Sequence, residues 1–432
     1  MSFDIEYLDS QFSANSKEIT FRGKLEVAVH NWFRMTASYS PMLVDRILRD
    51  WETSGVTIKG KSLLEPFAGV GTTPVVAALN EMKGSAVELN PALHFVTKNK
   101  IYWIRHSNRI AELNEAYNWV GKTLETISRR NFKSLAQFTK ETGIVVPALK
   151  NIERWFDDKA ITDFLLFRQE LNNNSELTED VRDFIKTAMA AMLLEISHVE
   201  HNRVSLTIGK TRKPYEGLAK PLLKKVGTMI DDLESLQGIR VGKFNSYNGD
   251  ARTLSVLPEA EKFDFVVTSP PYPNRFSYTR ETRPHMFMLD LVADASEVGN
   301  LEMNAIGGTW GKATWILKKP VPNLSPEVSK ACRKYISKIN DEMMQNYVLL
   351  FFQNMFLHAQ SLGPKMERNG KLAYVIGNSK IKEVLIPADE ILAEIFNSTG
   401  HFAATQIHRM RKRHSQTGLY EATVFFDSKS SH

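Results

Sequence analysis

A single cysteine, Cys332, in 432 residues leaves no thiol pair for a disulfide and excludes the cysteine clusters that hold zinc or iron–sulfur groups. No run approaches the roughly 18 consecutive apolar residues of a membrane-spanning helix, so no membrane partner is expected. The first residues, MSFDIEYLDSQF, carry acids early and no apolar segment, unlike a secretory signal. Together these absences predict a reducing, cytoplasmic setting. Internal repeats and low-complexity linkers are also missing. What is present is ordinary for a folded soluble chain, 43% hydrophobic and 24% charged, which excludes disorder and collagen-like repeats. At about 150 residues per domain, the length predicts two or three domains. The net charge of +6 is a modest basic excess, informative about phosphate-bearing partners only where it clusters.

The chain changes character along its length. Residues 25–50 read as helical, with Pro41 in a first turn and Leu43, Val44, Ile47 and Leu48 on one face. Residues 62–91 alternate strand, glycine turn, helix and strand, the pattern of a parallel α/β sheet. Residues 95–240 read as helices joined by short loops, with Thr178, Glu179 and Asp180 as one helix start. Strands are expected again at Phe263–Val267 and Lys371–Gly377, with an apolar helix around Tyr347–Leu362 ending at Gly363-Pro364. Two extended runs, His401–Arg409 and Leu419–Phe426, flank a basic turn and predict a C-terminal hairpin. The simplest picture is one α/β core interrupted by a helical insertion of roughly 150 residues. Its expected parts are 1–94, the insertion at 95–240, and 241–432.

The first candidate site is Ser62-Leu63-Leu64-Glu65-Pro66-Phe67-Ala68-Gly69-Val70-Gly71-Thr72-Thr73. An apolar strand ends in an acid, two glycines follow, and a helix is expected near Pro74 with Thr73 as its N-cap. Glycines there let the backbone approach a ligand at the carboxyl edge of the sheet. Seventeen residues beyond Gly71, the strand Ser85–Leu89 carries Glu88, placed to bind ribose hydroxyls. A dinucleotide fingerprint would want a third glycine where Pro74 stands, and a P-loop would want a lysine after Gly71. A neutral or cationic nucleoside remains, with S-adenosylmethionine the leading candidate.

The second is Phe263-Asp264-Phe265-Val266-Val267-Thr268-Ser269-Pro270-Pro271-Tyr272. A buried strand runs into a proline pair that fixes the backbone and leaves its carbonyls free to accept. The Ser269 oxygen, the Pro270 carbonyl and the Tyr272 face could hold an exocyclic amino group by both hydrogens while its ring stacks. Held so, the amine aims its lone pair at an electrophile, and neither a metal nor a covalent intermediate is required.

These motifs resemble those of the DNA amino-methyltransferases, which methylate cytosine N4 or adenine N6 with S-adenosylmethionine. Glu65 through Thr72 resembles their motif I, which usually begins with Asp. Glu88-Leu89-Asn90-Pro91 resembles motif II, Asn248-Gly249-Asp250-Ala251 motif III, and Thr268 through Tyr272 motif IV in its serine form. His30-Asn31-Trp32-Phe33 through Tyr39-Ser40-Pro41 resembles motif X, which folds over the methionine end of the cofactor. The resemblance covers the core and leaves out the insertion. It implies a Rossmann-like S-adenosylmethionine methyltransferase sheet with an antiparallel C-terminal hairpin. It implies that Phe33, Ser40, Pro41, Glu65, Pro66, Phe67, Gly69, Gly71, Thr72, Thr73, Glu88, Leu89, Asp250 and Ala251 bind the cofactor. Ser269, Pro270, Pro271 and Tyr272 would be catalytic. The serine form favours cytosine N4 over adenine N6. Methylation at cytosine C5 would need a nucleophilic cysteine, and Cys332 lacks the expected preceding proline. The insertion precedes the motif III turn, a departure from the arrangement that places target recognition just before motif IV. RNA amino-methylation and a non-catalytic DNA-binding role remain as other readings. The resemblance also suggests a cognate restriction endonuclease as partner.

A base inside duplex DNA must be flipped out to reach Tyr272. Basic stretches that would hold the backbone are Arg203, Lys210, Arg212 and Lys213, with Lys220, Lys224 and Lys225 beyond, and Arg275, Arg280 and Arg283 after the catalytic loop. A third is Arg409, Arg411, Lys412 and Arg413, more simply a solvated turn. His198 and His201 have no cysteine or acid at ligand spacing, so no metal is expected.

Overall fold

The computed structural model describes residues 6–10, 28–35, 38–200, 206–209, 212–308, 311–411 and 418–429, with only the backbone of 6–10 and 411. Its centre is a sheet of eight strands, β1 (Glu6–Ser10), β2 (Ser62–Glu65), β3 (Lys83–Glu88), β4 (Phe244–Asn248), β5 (Phe263–Thr268), β6 (Met366–Gly377), β9 (Phe402–Arg411) and β10 (Tyr420–Ser428). A small hairpin of β7 (Ser379–Ile381) and β8 (Val384–Ile386) stands apart. The sheet order is β1-β9-β10-β6-β5-β2-β3-β4. Strands β4, β3, β2, β5 and β6 run parallel to their neighbours, β10 runs antiparallel to both β6 and β9, and β1 is parallel to β9. The order reverses between β2 and β5, where an open α/β sheet leaves a crevice at its carboxyl edge. This is the expected Rossmann-like methyltransferase sheet with its antiparallel C-terminal hairpin.

The strands read as buried on both faces because helices cover both. Leu63, Phe265 and Val267 enter one hydrophobic cluster, and Leu64 and Val266 enter the other, the two-residue alternation of a pleated strand. The first face is covered by α1 (Pro41–Thr53), α2 (Thr72–Leu79) and α3 (Pro91–Arg105). The second is covered by α13 (Pro326–Ile336), α14 (Glu342–Leu362) and α15 (Ala388–Ser398).

Between β3 and β4, the chain is helical beyond α3. It forms α4 (Ile110–Ser128), α5 (Leu135–Thr142), α6 (Ile152–Trp155), α7 (Asp158–Asn173), α8 (Glu179–Met192) and α9 (Ala219–Glu234). Val120, Phe164, Ile185 and Val226 from these helices share one continuous core with Leu63 and Val96. Between β5 and β6 lie α10 (Tyr278–Met288), α11 (Ala295–Asn304), α12 (Lys312–Ile316), then α13 and α14.

Two local expectations are corrected. The helix expected over 25–50 is, within the described residues, a single 3-10 turn at His30–Trp32 followed by extended chain, and α1 begins only at Pro41 with Ser40 as its N-cap. The apolar residues before Pro41 pack outward: Trp32 lies edge-on to Phe184 of α8, and Phe33 edge-on to His285 of α10. Helix α2 starts at Thr72, two residues before Pro74, and its N-cap is Gly71 at φ 83, not Thr73. Glycine takes that left-handed conformation at no steric cost.

Candidate active site

The carboxyl ends of β2, β3, β4 and β5 open onto one cleft of about 920 Å³, including its open mouth. Pro66, Phe67, Gly69, Thr72, Glu88, Leu89, Asp250, Ala251, Ser269 and Pro271 line it, so motifs separated by up to two hundred positions meet there. The turn between β2 and α2 shapes its floor. Gly69 sits at φ 53, where a Cβ would meet only the Phe67 carbonyl oxygen at 3.9 Å, and its backbone lines the cleft. At Gly71 a Cβ would lie 3.1 Å from Thr97 Oγ1, which itself donates to the Gly69 carbonyl at 2.9 Å. Lys100, wholly buried on α3, donates to the carbonyls of Val70 (2.9 Å) and His30 (3.1 Å), and burial lowers its ammonium to about 7.

Two carboxylates frame the turn. Glu88 at the end of β3 accepts from the N–H groups of Gly69 (2.7 Å) and Asn90 (2.8 Å). Glu65 at the end of β2 is buried and accepts from the Phe67 N–H at 2.9 Å, from Thr268 Oγ1, and from the Tyr39 hydroxyl at 3.2 Å. Tyr39 also bonds Thr73, so that threonine serves the 38–40 segment. Burial pushes both Glu65 and Glu88 up to about 7, against the hydrogen bonds they accept. Glu88 lines the cleft, whereas Glu65 is buried behind it, so the acid that a ligand in the cleft would meet is Glu88.

Ser269 and Pro271 close the cleft at the end of β5, with Pro270 buried beneath. Ser269 Oγ donates to Tyr272 Oη at 3.4 Å, and the phenol is pushed well above its ordinary range by burial and by the nearby Glu421. The Tyr272 ring lies over Gly377 at the end of β6.

Other expected residues sit elsewhere. Phe33, Ser40 and Pro41 are buried behind the wall, and Met35, Ser38 and Tyr39 face the cleft from that segment. The Asp250 carboxylate is gripped by Arg252 through Nε (2.9 Å) and an Nη (2.6 Å), and Arg252 also reaches Asn304 at 3.2 Å. Residues not anticipated as site residues complete the walls: Asn90, Tyr278, Thr279, Leu301, Asn304 and Ile306. His358, buried on α14, bonds the Ala251 carbonyl and Tyr374 at 2.7 and 2.6 Å and packs on Phe67, bracing the turns after β2 and β4. Burial lowers it to about 4, so it acts as a neutral brace.

Of the basic candidates, Arg275 and Arg280 are exposed just after the Ser269–Tyr272 loop, and Arg283 lies beside them on α10 over Phe287. Arg275 holds a left-handed φ of 62, and its N–H donates to the Tyr347 hydroxyl at 3.0 Å. Arg212 and Lys213 are exposed and reach the carbonyls of Glu153 and Val199. Arg203, Lys210, Lys412 and Arg413 lie outside the described residues, as does the Arg411 side chain. Arg409 is tied to Asp389 and Glu390 at 2.6 and 2.7 Å, which corrects its reading as part of a solvated turn. Cys332 is buried and its thiol pushed up to about 12, far from a thiolate nucleophile. Among the described residues there is no cluster of metal-ligating side chains, and no helix long and apolar enough to cross a membrane.

Fold and cleft together define an α/β methyltransferase-type scaffold. No protein-family model matches the chain. It is 24% identical over 304 residues to the type II methyltransferase M.BsoBI of Geobacillus stearothermophilus, spanning 64% of this chain and 55% of that protein. To the type II methyltransferase M.MvaI of Kocuria varians it is 23% identical over 402 residues, spanning 89% and 82%. To M.AvaI of Nostoc sp. it is 22% identical over 422 residues, spanning 90% and 82%. The chain is thus a distant homologue of type II methyltransferases, and it spans little more than half of the first of them. Among solved structures, TrmN from Thermus thermophilus aligns with a TM-score of 0.30 and 9% identity over 90% of this chain and 48% of that one. The rRNA methyltransferase AviRa from Streptomyces viridochromogenes aligns at 0.33 and 10% over 97% and 94%.

Proposed function

We propose that the protein is a site-specific DNA methyltransferase that moves the methyl group of S-adenosylmethionine to the exocyclic N4 of a flipped cytosine. The observation that carries this reading is the Ser269-Pro270-Pro271-Tyr272 loop, whose Ser269 and Pro271 line the same cleft as Glu88 and Gly69. Distant homology to type II methyltransferases supports it, and the proposal includes a restriction-modification role with a cognate endonuclease.

The donor set fits the cofactor. Glu88 lines the cleft and is placed for ribose hydroxyls, Gly69 lets a ligand approach the backbone, and the desolvated carboxylates of Glu88 in the wall and Glu65 behind it suit a cationic ligand. When bound, S-adenosylmethionine supplies an electrophilic methyl group. The chain supplies position. Ser269 Oγ and the Pro270 carbonyl accept from the amine, Tyr272 stacks its ring, and the low dielectric strengthens both contacts. Arg275, Arg280 and Arg283 hold phosphates beside the flipped nucleotide, and the helical segment 95–240, with Arg212 and Lys213, reads the target.

The test is nucleoside mass spectrometry of duplex DNA after incubation with methyl-labelled S-adenosylmethionine. Label in N4-methylcytosine is expected. Label in N6-methyladenine would keep the mechanism and overturn the base, and an absence of label from DNA of varied sequence would overturn the proposal.

A pH dependence follows. Glu65 and Glu88 are protonated in an appreciable fraction of molecules near pH 7 when no cation is bound. A cationic ligand favours their ionised forms, so its affinity should rise as pH rises through about 7. Calorimetry is expected to show S-adenosylmethionine binding about tenfold tighter at pH 8 than at pH 6. S-adenosylhomocysteine, whose sulfur is uncharged, should show a smaller change. Equal pH dependence for both would sink this assignment.

A further inference from the structure

The catalytic loop has a partner far away in sequence. Glu421 on β10, only 9% exposed, accepts from Tyr272 Oη at 3.3 Å, and Tyr272 Oη accepts in turn from Ser269 Oγ at 3.4 Å. Both contacts are long for O–H···O bonds. Register fixes the geometry: Glu421 pairs with Gly377, and the Tyr272 ring lies on that glycine.

An ionised carboxylate only accepts, whereas a hydroxyl can turn either way. Glu421 therefore sets the direction of the whole chain from its far end. Tyr272 donates to Glu421, its oxygen receives the Ser269 hydrogen, and the Ser269 lone pairs are left facing the cleft. Without the carboxylate, Ser269 is free to point its hydrogen outward and greet a carbonyl oxygen instead.

We propose that Glu421 is a positioning residue that holds Ser269 as an acceptor, so that the site selects an amino group over a carbonyl, and that it takes up the proton released on transfer. The proposal rests on the methyltransferase reading above. The step balances as follows: the amine lone pair forms the N–C bond while the S–C pair returns to sulfur. The surplus amine proton passes to Ser269 Oγ, the serine proton to Tyr272 Oη, and the tyrosine proton to Glu421. The base ends neutral and methylated, and the carboxyl ends protonated until solvent restores it.

The test combines Glu421→Gln, Tyr272→Phe and their double variant in single-turnover methyl transfer to duplex DNA, with the Tyr 13Cζ resonance as a readout that needs no activity. Glu421→Gln is expected to slow transfer about 10²-fold and to leave the S-adenosylmethionine Kd within about twofold. The double variant should be no slower than the slower single variant, because both act through one hydroxyl. Glu421→Asp, which keeps the carboxylate, should retain more activity than Glu421→Gln. The resonance that disappears in Tyr272→Phe should shift in Glu421→Gln without DNA or cofactor. Additive losses, an unmoved resonance, or a fully active Glu421→Gln would overturn the proposal. A wild-type protein that shows the coupled resonance but transfers no methyl to DNA would strike at the proposed function instead.

Discussion

Replacing Tyr272 by alanine is expected to lower methyl transfer about 10³-fold or more while leaving cofactor affinity within about twofold. The two halves of this expectation have different origins. Transfer needs the amine held in line with its electrophile, and misplacing a reacting group by an ångström costs orders of magnitude. The ring also provides the stacking face for a flipped base, worth about 1–3 kcal/mol per base. On the proposed reading, cofactor affinity depends on other residues. Glu88, Gly69, Leu89 and Ala251 line the cleft, and Tyr272 stands beyond it behind Ser269 and Pro271. Ser269→Ala removes the amine acceptor and the first link of the chain to Glu421 while leaving the stacking ring, and is expected to cost about 10²-fold by the same assay. A Tyr272→Ala protein with unimpaired transfer would show that the base is held elsewhere. One that had lost cofactor binding as well would show that the two subsites are not separable.

Those residues were legible because their chemistry is local. Strand, acid, glycine, glycine and helix succeed one another within a dozen positions, and Ser-Pro-Pro-Tyr follows a strand directly. The parallel strands were legible as apolar runs for the same reason. The stretch before Pro41 misled because Val29, Trp32 and Phe33 have the spacing of a helical face. Their burial comes instead from α8 and α10, and Asp232 of α9 binds the Val29 N–H (2.8 Å) and the Trp32 indole (2.9 Å), drawing the chain away from helical pairing. The Asp250 turn was legible as an acid but not as an acid held by Arg252. Lys100 and His358 were invisible for a related reason: each acts on backbone carbonyls, and no sequence pattern marks a carbonyl that needs a donor. Glu421 lies 149 positions from Tyr272. Only the insertion of antiparallel β10 beside β6 brings them together, and a local pattern cannot encode which strand fills that gap.

Gly377 is the sharpest case of such a hidden position, and its replacement by valine carries the second large expected effect. It ends β6 in ordinary extended backbone, so no left-handed conformation demands glycine there. The demand comes from the loop after β5: a Cβ would lie 2.9 Å from both Cδ2 and Cε2 of Tyr272. Those ring atoms are rigid and cannot fold away as a flexible chain end would, so the ring must move as a unit. Alanine forces a shift of a few tenths of an ångström, and the branched methyls of valine force more. Because the Tyr272 hydroxyl is shared between Ser269 and Glu421, displacing the ring breaks the chain at its middle. Gly377→Val is therefore expected to slow single-turnover transfer by at least about 10²-fold, with Gly377→Ala between it and the wild type. The S-adenosylmethionine Kd should stay within about twofold, since Gly377 does not line the cleft. Adding Gly377→Val to Tyr272→Ala should cost little more, because the ring that would have been displaced is already gone. A Gly377→Val protein as active as the wild type would mean that the ring finds a second productive seat, and that the Ser269–Tyr272–Glu421 chain does not govern transfer.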